Sequence, residues 1–201
     1  MKKILKFLVI IGLLFGVVTT ARLIRDKQSL QSNLVRLHVV ANSDLPADQE
    51  IKLRVKDAIV SYLQEDMNLL QSAQEAKTYL QEKLPEIEAF ANKVLKNYHV
   101  NQSAFVSLQK EAFDTRDYDT FSLPAGIYES LRVVIGDGAG KNWWCVVFPS
   151  LCLPATTSEF QDTAVGAGFS DGLVDTISKA DGYEIRFYLL DFIGKIENLF
   201  H

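Results

Sequence analysis

The chain has 201 residues, 48% of them hydrophobic and 23% charged, the profile of a globular protein of one domain or one and a half. Its formal charge is −4, and it falls to −7 once residues 1–21, which carry three Lys and no acid, are set aside. A nucleic-acid binder needs a basic excess or a basic stripe, and this chain has neither.

The N-terminus reads as an export signal. Lys2, Lys3 and Lys6 form a basic start, and an apolar run of 12 residues follows from Phe7 to Val18. A spanning helix wants about 20 apolar residues, so a secretory signal ending at Thr19-Thr20-Ala21 fits better than an uncleaved anchor. No Cys follows the run, which excludes a lipoprotein. The remainder, 22–201, is expected to be a single extracytoplasmic domain.

Residues 22–33 read as a linker or a short first helix. Leu34 to Ala41 is a strand pattern, with Val35, Leu37, Val39 and Ala41 on an apolar face. Leu34, Arg36, His38 and Val40 make a mixed face suited to an edge or a partner. Asn42-Ser43-Asp44 stops the strand, because short polar side chains favour turns. Pro46 suits a first helical turn, and Asp44 is the expected cap. Ile51, Val55, Ala58, Ile59, Tyr62, Leu63 and Met67 then recur at helical spacing. Asp48 with Lys52, and Glu50 with Arg54, are i,i+4 pairs.

Ser72 to Glu75 is a capping box that opens a second helix carrying Ala76, Tyr79, Leu80 and Leu84. Pro85 interrupts it or starts a third helix, with Ile87, Phe90, Ala91, Val94, Leu95 and Tyr98. From Ser103 the period becomes two. Strands are expected at Phe105–Gln109, Tyr118–Leu123, Leu131–Ile135 and Trp143–Phe148, with Pro124-Ala125-Gly126 as a turn or a bend. The small, polar stretch from about 153 to 182 reads as a long mobile loop. Ile185, Tyr188, Leu189, Phe192, Ile193, Ile196, Leu199 and Phe200 form a closing amphipathic helix, its apolar face widened by Phe187 and Leu190. The expected fold is α+β: a mostly antiparallel sheet of about five strands, three helices after the first strand, and a C-terminal helix.

Few stretches point to chemistry. The segment GDGAGKN departs from a phosphate loop in its spacing and in Asn142 where Ser or Thr is needed, so it reads as a tight hairpin turn. Trp143 and Trp144, adjacent in a strand, must face opposite sides of the sheet. An exposed Trp would anchor a partner. Cys145 and Cys152 with three scattered His do not make a structural zinc site, which needs four ligands. Outside the cytoplasm they read as one disulfide across Pro149, worth roughly 2–3 kcal/mol, or as free thiols. His38, Ser43, Asp44 and Asp48 contain the residue types of a hydrolase triad, but no nucleophile-elbow pattern surrounds Ser43. No cofactor is expected.

Two segments resemble a known family. RLHVVANSDLPADQ followed by KLRVKDA, and GKNWWCVVFPSLC from Gly140 to Cys152, are similar to the hallmarks of the stage II sporulation protein R family. The resemblance implies a signal rather than an enzyme. Such proteins are made in the forespore and exported into the space between the two septal membranes. There they activate a membrane-embedded aspartic protease, which matures pro-sigma E in the mother cell. On this reading the expected contact surface combines His38, Asn42, Ser43 and Asp44 with whichever of Trp143 and Trp144 is exposed, and part of the C-terminal helix. The alternatives are an exported hydrolase or cell-wall-modifying enzyme using His38 and nearby acids, and a structural domain anchored by residues 7–21.

Overall fold

The computed structural model describes residues 2–150, 157–178 and 185–200. The elements run α1 (Lys2–Asn33), β1 (Val35–Val40), α2 (Pro46–Leu69), α3 (Ala73–Asn97), β2 (Ala104–Phe113), β3 (Arg116–Asp117), β4 (Ser122–Leu123), β5 (Gly126–Ile135), β6 (Asn142–Phe148), α4 (Thr157–Gly166), α5 (Asp171–Ile177) and α6 (Ile185–Asn198). The class is α+β, but the sheet differs from expectation. It has four strands in the order β2-β5-β1-β6 and is mixed, because β1 runs parallel to β5 and antiparallel to β6. The expected strand at 118–123 is mostly absent, and β3 and β4 form a separate two-stranded ribbon.

The glycine loop explains the mixed sheet. β5 and β6 are not a tight hairpin; they leave a gap one strand wide, and β1 fills it. The loop 136–141 therefore passes over the C-terminal end of β1, where Ala139 and Gly140 donate to the carbonyls of Asn42 and Ala41 at 3.1 and 3.0 Å. A central strand is covered on both faces, so β1 is buried at all six positions. Its second face does not lie at an edge.

Helices cover both sides. Leu37, Val39, Leu131, Val133 and Cys145 meet Val55, Ile59 and Leu63 of α2 and Leu80, Ile87 and Ala91 of α3 in one core. Leu34, Tyr128 and Val146 meet Leu23 and Leu30 of α1, Phe160 of α4, Leu173 of α5, and Phe187 and Leu190 of α6 in the other. Two helices, not three, follow β1. Pro85 lies inside α3, which stays continuous because the core holds its face on both sides of the proline. The Ser72 half of the capping box forms as expected, with the Glu75 N–H donating to Ser72 Oγ at 3.2 Å. The Glu75 carboxylate accepts from the Gln71 N–H at 2.9 Å, one residue before the cap. Residues 22–33 are helical, not a linker, and form the last turns of α1, which leads into β1. The stretch read as a long loop contains α4 and α5.

α6 reverses the expected orientation. Phe187, Leu190 and Asp191 face inward, while Tyr188, Leu189, Phe192 and Ile196 are exposed. Gly194 sets this rotation: a Cβ there would lie 1.6 Å from the Ala125 carbonyl oxygen, so only glycine lets the helix sit on that backbone. Asp191 fixes the same face by accepting the Ala125 N–H at 2.8 Å and the Thr115 hydroxyl.

Candidate functional site

The polar side chains of β1 and the turn after it were singled out in the sequence, and they fall into two clusters. The first lies at the strand end. Asp48 accepts from Asn42 Nδ2 at 2.9 Å and from the Ser43 hydroxyl, and these hydrogen bonds hold its carboxyl below the usual range. Asp44 is not the cap of α2: Leu45 occupies that position without a side-chain bond, and Asp44 accepts the Lys141 N–H at 2.7 Å. Lys52 does not pair with Asp48; its ammonium donates to Gln49 Oε1 at 2.7 Å and to the Lys141 carbonyl at 3.0 Å. Glu50 and Arg54 do pair, at 3.3 Å. The turn and the glycine loop are thus one interlocked unit. A Cβ on Gly140 would lie 2.3 Å from the Ser43 carbonyl oxygen.

The second cluster lies on the second face of the sheet, where Ser107, Arg132, His38 and Trp144 stand opposite one another in a row across β2, β5, β1 and β6. The His38 ring stacks on Trp144 with centroids 3.7 Å apart. Its Nδ1 faces Glu111 Oε1 at 3.1 Å, and Glu111 also accepts from Arg132 Nη1 at 2.9 Å. Burial pushes the Glu111 carboxyl up, but the hydrogen bond with His38 and the charge of Arg132 outweigh it, and the group stays below its ordinary range. Arg116 of β3 lies over Trp144 at 5.2 Å.

One row deeper, Arg36 is fully buried. Its guanidinium lies 3.9 Å over the Phe113 ring and donates to the Tyr118 hydroxyl at 2.7 Å. Arg36 Nε and Nη1, and His38 Nε2, have no hydrogen-bond partner among the described residues. Burial lowers the Arg36 pKa.

The six expected contact residues therefore do not form one patch. His38 and Trp144 share the second face; Trp143, 37% exposed, is on the first, with Lys56 over its ring at 4.7 Å. The two tryptophans do face opposite sides, as alternation requires. Asn42, Ser43 and Asp44 hold the loop. Glu111, Arg132 and Arg116 were missed. Alternation along β2 puts Glu111 on one face with Phe105 and Phe113, but nothing local says that β1 lies two strands away. Cys145 is buried on β6; the expected Cys145–Cys152 disulfide involves Cys152, which lies outside the described residues.

As chemistry, the carboxylate–imidazole pair resembles half of a hydrolytic triad. Ser43 does not complete it, because its hydroxyl is hydrogen-bonded to Asp48. Among the described residues no group of three or more His, Cys, Asp or Glu is arranged to hold a metal ion.

The two segments singled out for their resemblance, on β1 with its turn and on β6, are neighbouring strands with interlocked ends. A family profile described as stage II sporulation protein R matches residues 31–158, which include both. The chain belongs to the stage II sporulation protein R family. Membership assigns it to sporulation. The stage II sporulation protein R of Bacillus subtilis (strain 168) is 29% identical over 211 aligned positions, covering 94% of each chain. No solved structure matches. The apolar stretch of α1 near the N-terminus, almost wholly exposed, is compatible with a signal sequence or an anchor for this family member.

Proposed function

We propose that this member of the stage II sporulation protein R family is an exported signal that acts by binding. Its target is a membrane-embedded aspartic protease, and the outcome is maturation of pro-sigma E in the mother cell. The family match over residues 31–158 carries the reading. The apolar α1 supports export across the forespore membrane. A binding protein shifts a protease toward its active arrangement only by favouring that state over the inactive one, which calls for a rigid contact surface. The interlocked turn and loop provide such rigidity. Asp44, Trp143 and the outer face of α6 present exposed groups, while Asn42 and Ser43 hold the turn, and His38 and Trp144 hold the sheet face beneath. A Cys145–Cys152 disulfide would stiffen the end of β6, and mass measurement after alkylation with and without reduction tests it.

The test is a reconstitution in a non-sporulating host that expresses the protease and its pro-sigma substrate, with and without this chain. Cleavage on an immunoblot only when the exported chain is present supports the reading. Cleavage independent of the chain, with both partners correctly inserted, overturns it. The hydrolase reading has the His38–Glu111 pair in its favour. It requires that His38→Gln abolish signalling while the fold survives, whereas the binding reading expects at most partial loss.

A further inference from the structure

We propose that Arg132, Arg116, Phe105 and the edge of Trp144, set around the buried His38, form a docking site for an acidic, extended segment of the protein partner. The inference rests on the reading that the chain works by binding a protein. The row above it on the same face, Phe105, Val134, Val40 and Asn142, leaves Phe105 63% exposed on the sheet surface. No described helix covers that ring. Next to it the Arg132 side chain is 36% exposed and its one described ion pair uses Nη1 alone. Arg116 lies against Trp144, and its Nε has no partner among the described residues. Glu111 is already shared between His38 and Arg132.

Two guanidiniums thus stand at the two ends of the His38–Trp144 stack on a chain whose overall charge is negative. Arg132 is on β5, and Arg116 of β3 lies over the ring of Trp144 on β6, with β1 between β5 and β6. Two such cationic positions on one face suit two carboxylates of one extended chain, each met by a planar guanidinium fork. Phe105 and the edge of Trp144 supply the apolar contact that arginine and aromatic residues together give to interfaces. The rigid stack underneath explains why a buried histidine and glutamate belong here: they hold Arg132 and Trp144 in place and touch no ligand themselves.

Calorimetric titration of the full chain in non-ionic detergent tests the site, with a blocked hexapeptide of alternating glutamate and alanine as the probe. The expected result is saturable binding that weakens at least about tenfold in Arg132→Gln and in Arg116→Gln. Binding should be kept in Arg54→Gln, a surface control on α2, and only partly restored in Arg132→Lys, which keeps the charge without the fork. The site is overturned if the wild-type chain does not bind, if both glutamine variants bind like wild type, if a glutamine–alanine peptide binds equally, or if inorganic phosphate competes as well as the peptide. Cleavage in the reconstituted host separates the two claims. Peptide binding without chain-dependent processing leaves the site standing and removes the protease reading. Chain-dependent processing without peptide binding does the reverse.

Discussion

Gly140 and Gly194 are where single atoms decide the packing. A methyl group on Gly140 meets the Ser43 backbone, which cannot yield freely because Gln49 Nε2 donates to the Ser43 carbonyl at 2.9 Å and Asp48 accepts from its hydroxyl. Gly140→Ala is therefore expected to lose at least about 1–3 kcal/mol of stability by denaturant unfolding, the usual cost of overpacking. Gly166→Ala, with nothing within 4 Å, should be neutral or slightly stabilising. Arg36 presents the opposite problem, a buried cation whose Nε and Nη1 find no described partner. Replacing a buried charge by an apolar side chain of similar length is often neutral or stabilising. Arg36→Met should fold and unfold within about 1 kcal/mol of wild type. A loss of more than about 3 kcal/mol would show that the guanidinium's contacts with Phe113 and Tyr118 outweigh its desolvation.

At the scale of elements, α6 is held to the sheet by polar contacts as much as by its apolar face. Burial pushes the Asp191 carboxyl up, but the Ala125 N–H, Lys195 and Thr115 outweigh it and hold the group below its ordinary range. A carboxylate with a lowered native pKa adds stability at pH above its unfolded value, about 3.9, and that stability is lost as pH falls through the native value. Asp191→Asn should thus cost about 1–3 kcal/mol at pH 7. Below about pH 4 the wild-type chain should approach the variant as it loses this contribution. Unfolding curves at pH 7, 5 and 3 check the convergence. On the outer face Phe192 is 61% exposed, so Phe192→Ser should change stability by less than about 0.5 kcal/mol. Reduced pro-sigma processing by that variant would mark the outer face of α6 as contact surface; unchanged processing would remove it from the proposed contact.

For the whole molecule the question is how the N-terminal helix divides between a signal or anchor segment and the fold. Leu23 and Leu30 belong to the second core, and Asp26 pairs with Arg186 at the start of α6, whereas residues 6–18 are exposed. Removing residues 1–21 should leave thermal stability nearly unchanged. Leu30→Ala, at a fully buried position, should cost about 2–5 kcal/mol. The mass of the exported chain separates cleavage near Ala21 from retention as an anchor. If the truncated chain unfolds at a much lower temperature, the exposed turns of α1 contribute to the fold after all.

The sequence by itself determined what is local. The period-two pattern of β1, the Ser72–Glu75 cap, the opposed tryptophans and the apolar N-terminus all depend on residues a few positions apart, whose geometry the backbone dictates. The two hallmark segments were legible for the same reason. Only the tertiary structure decided that β1 enters between β5 and β6, because a strand's pattern says which residues share a face and not which strand lies alongside. That insertion buries Arg36 and His38, brings Glu111 to the imidazole from 73 residues away and aligns Arg132 with Trp144. The rotation of α6 was likewise hidden: both of its faces are apolar, and the choice fell to a glycine meeting a backbone carbonyl some 70 residues earlier in the chain.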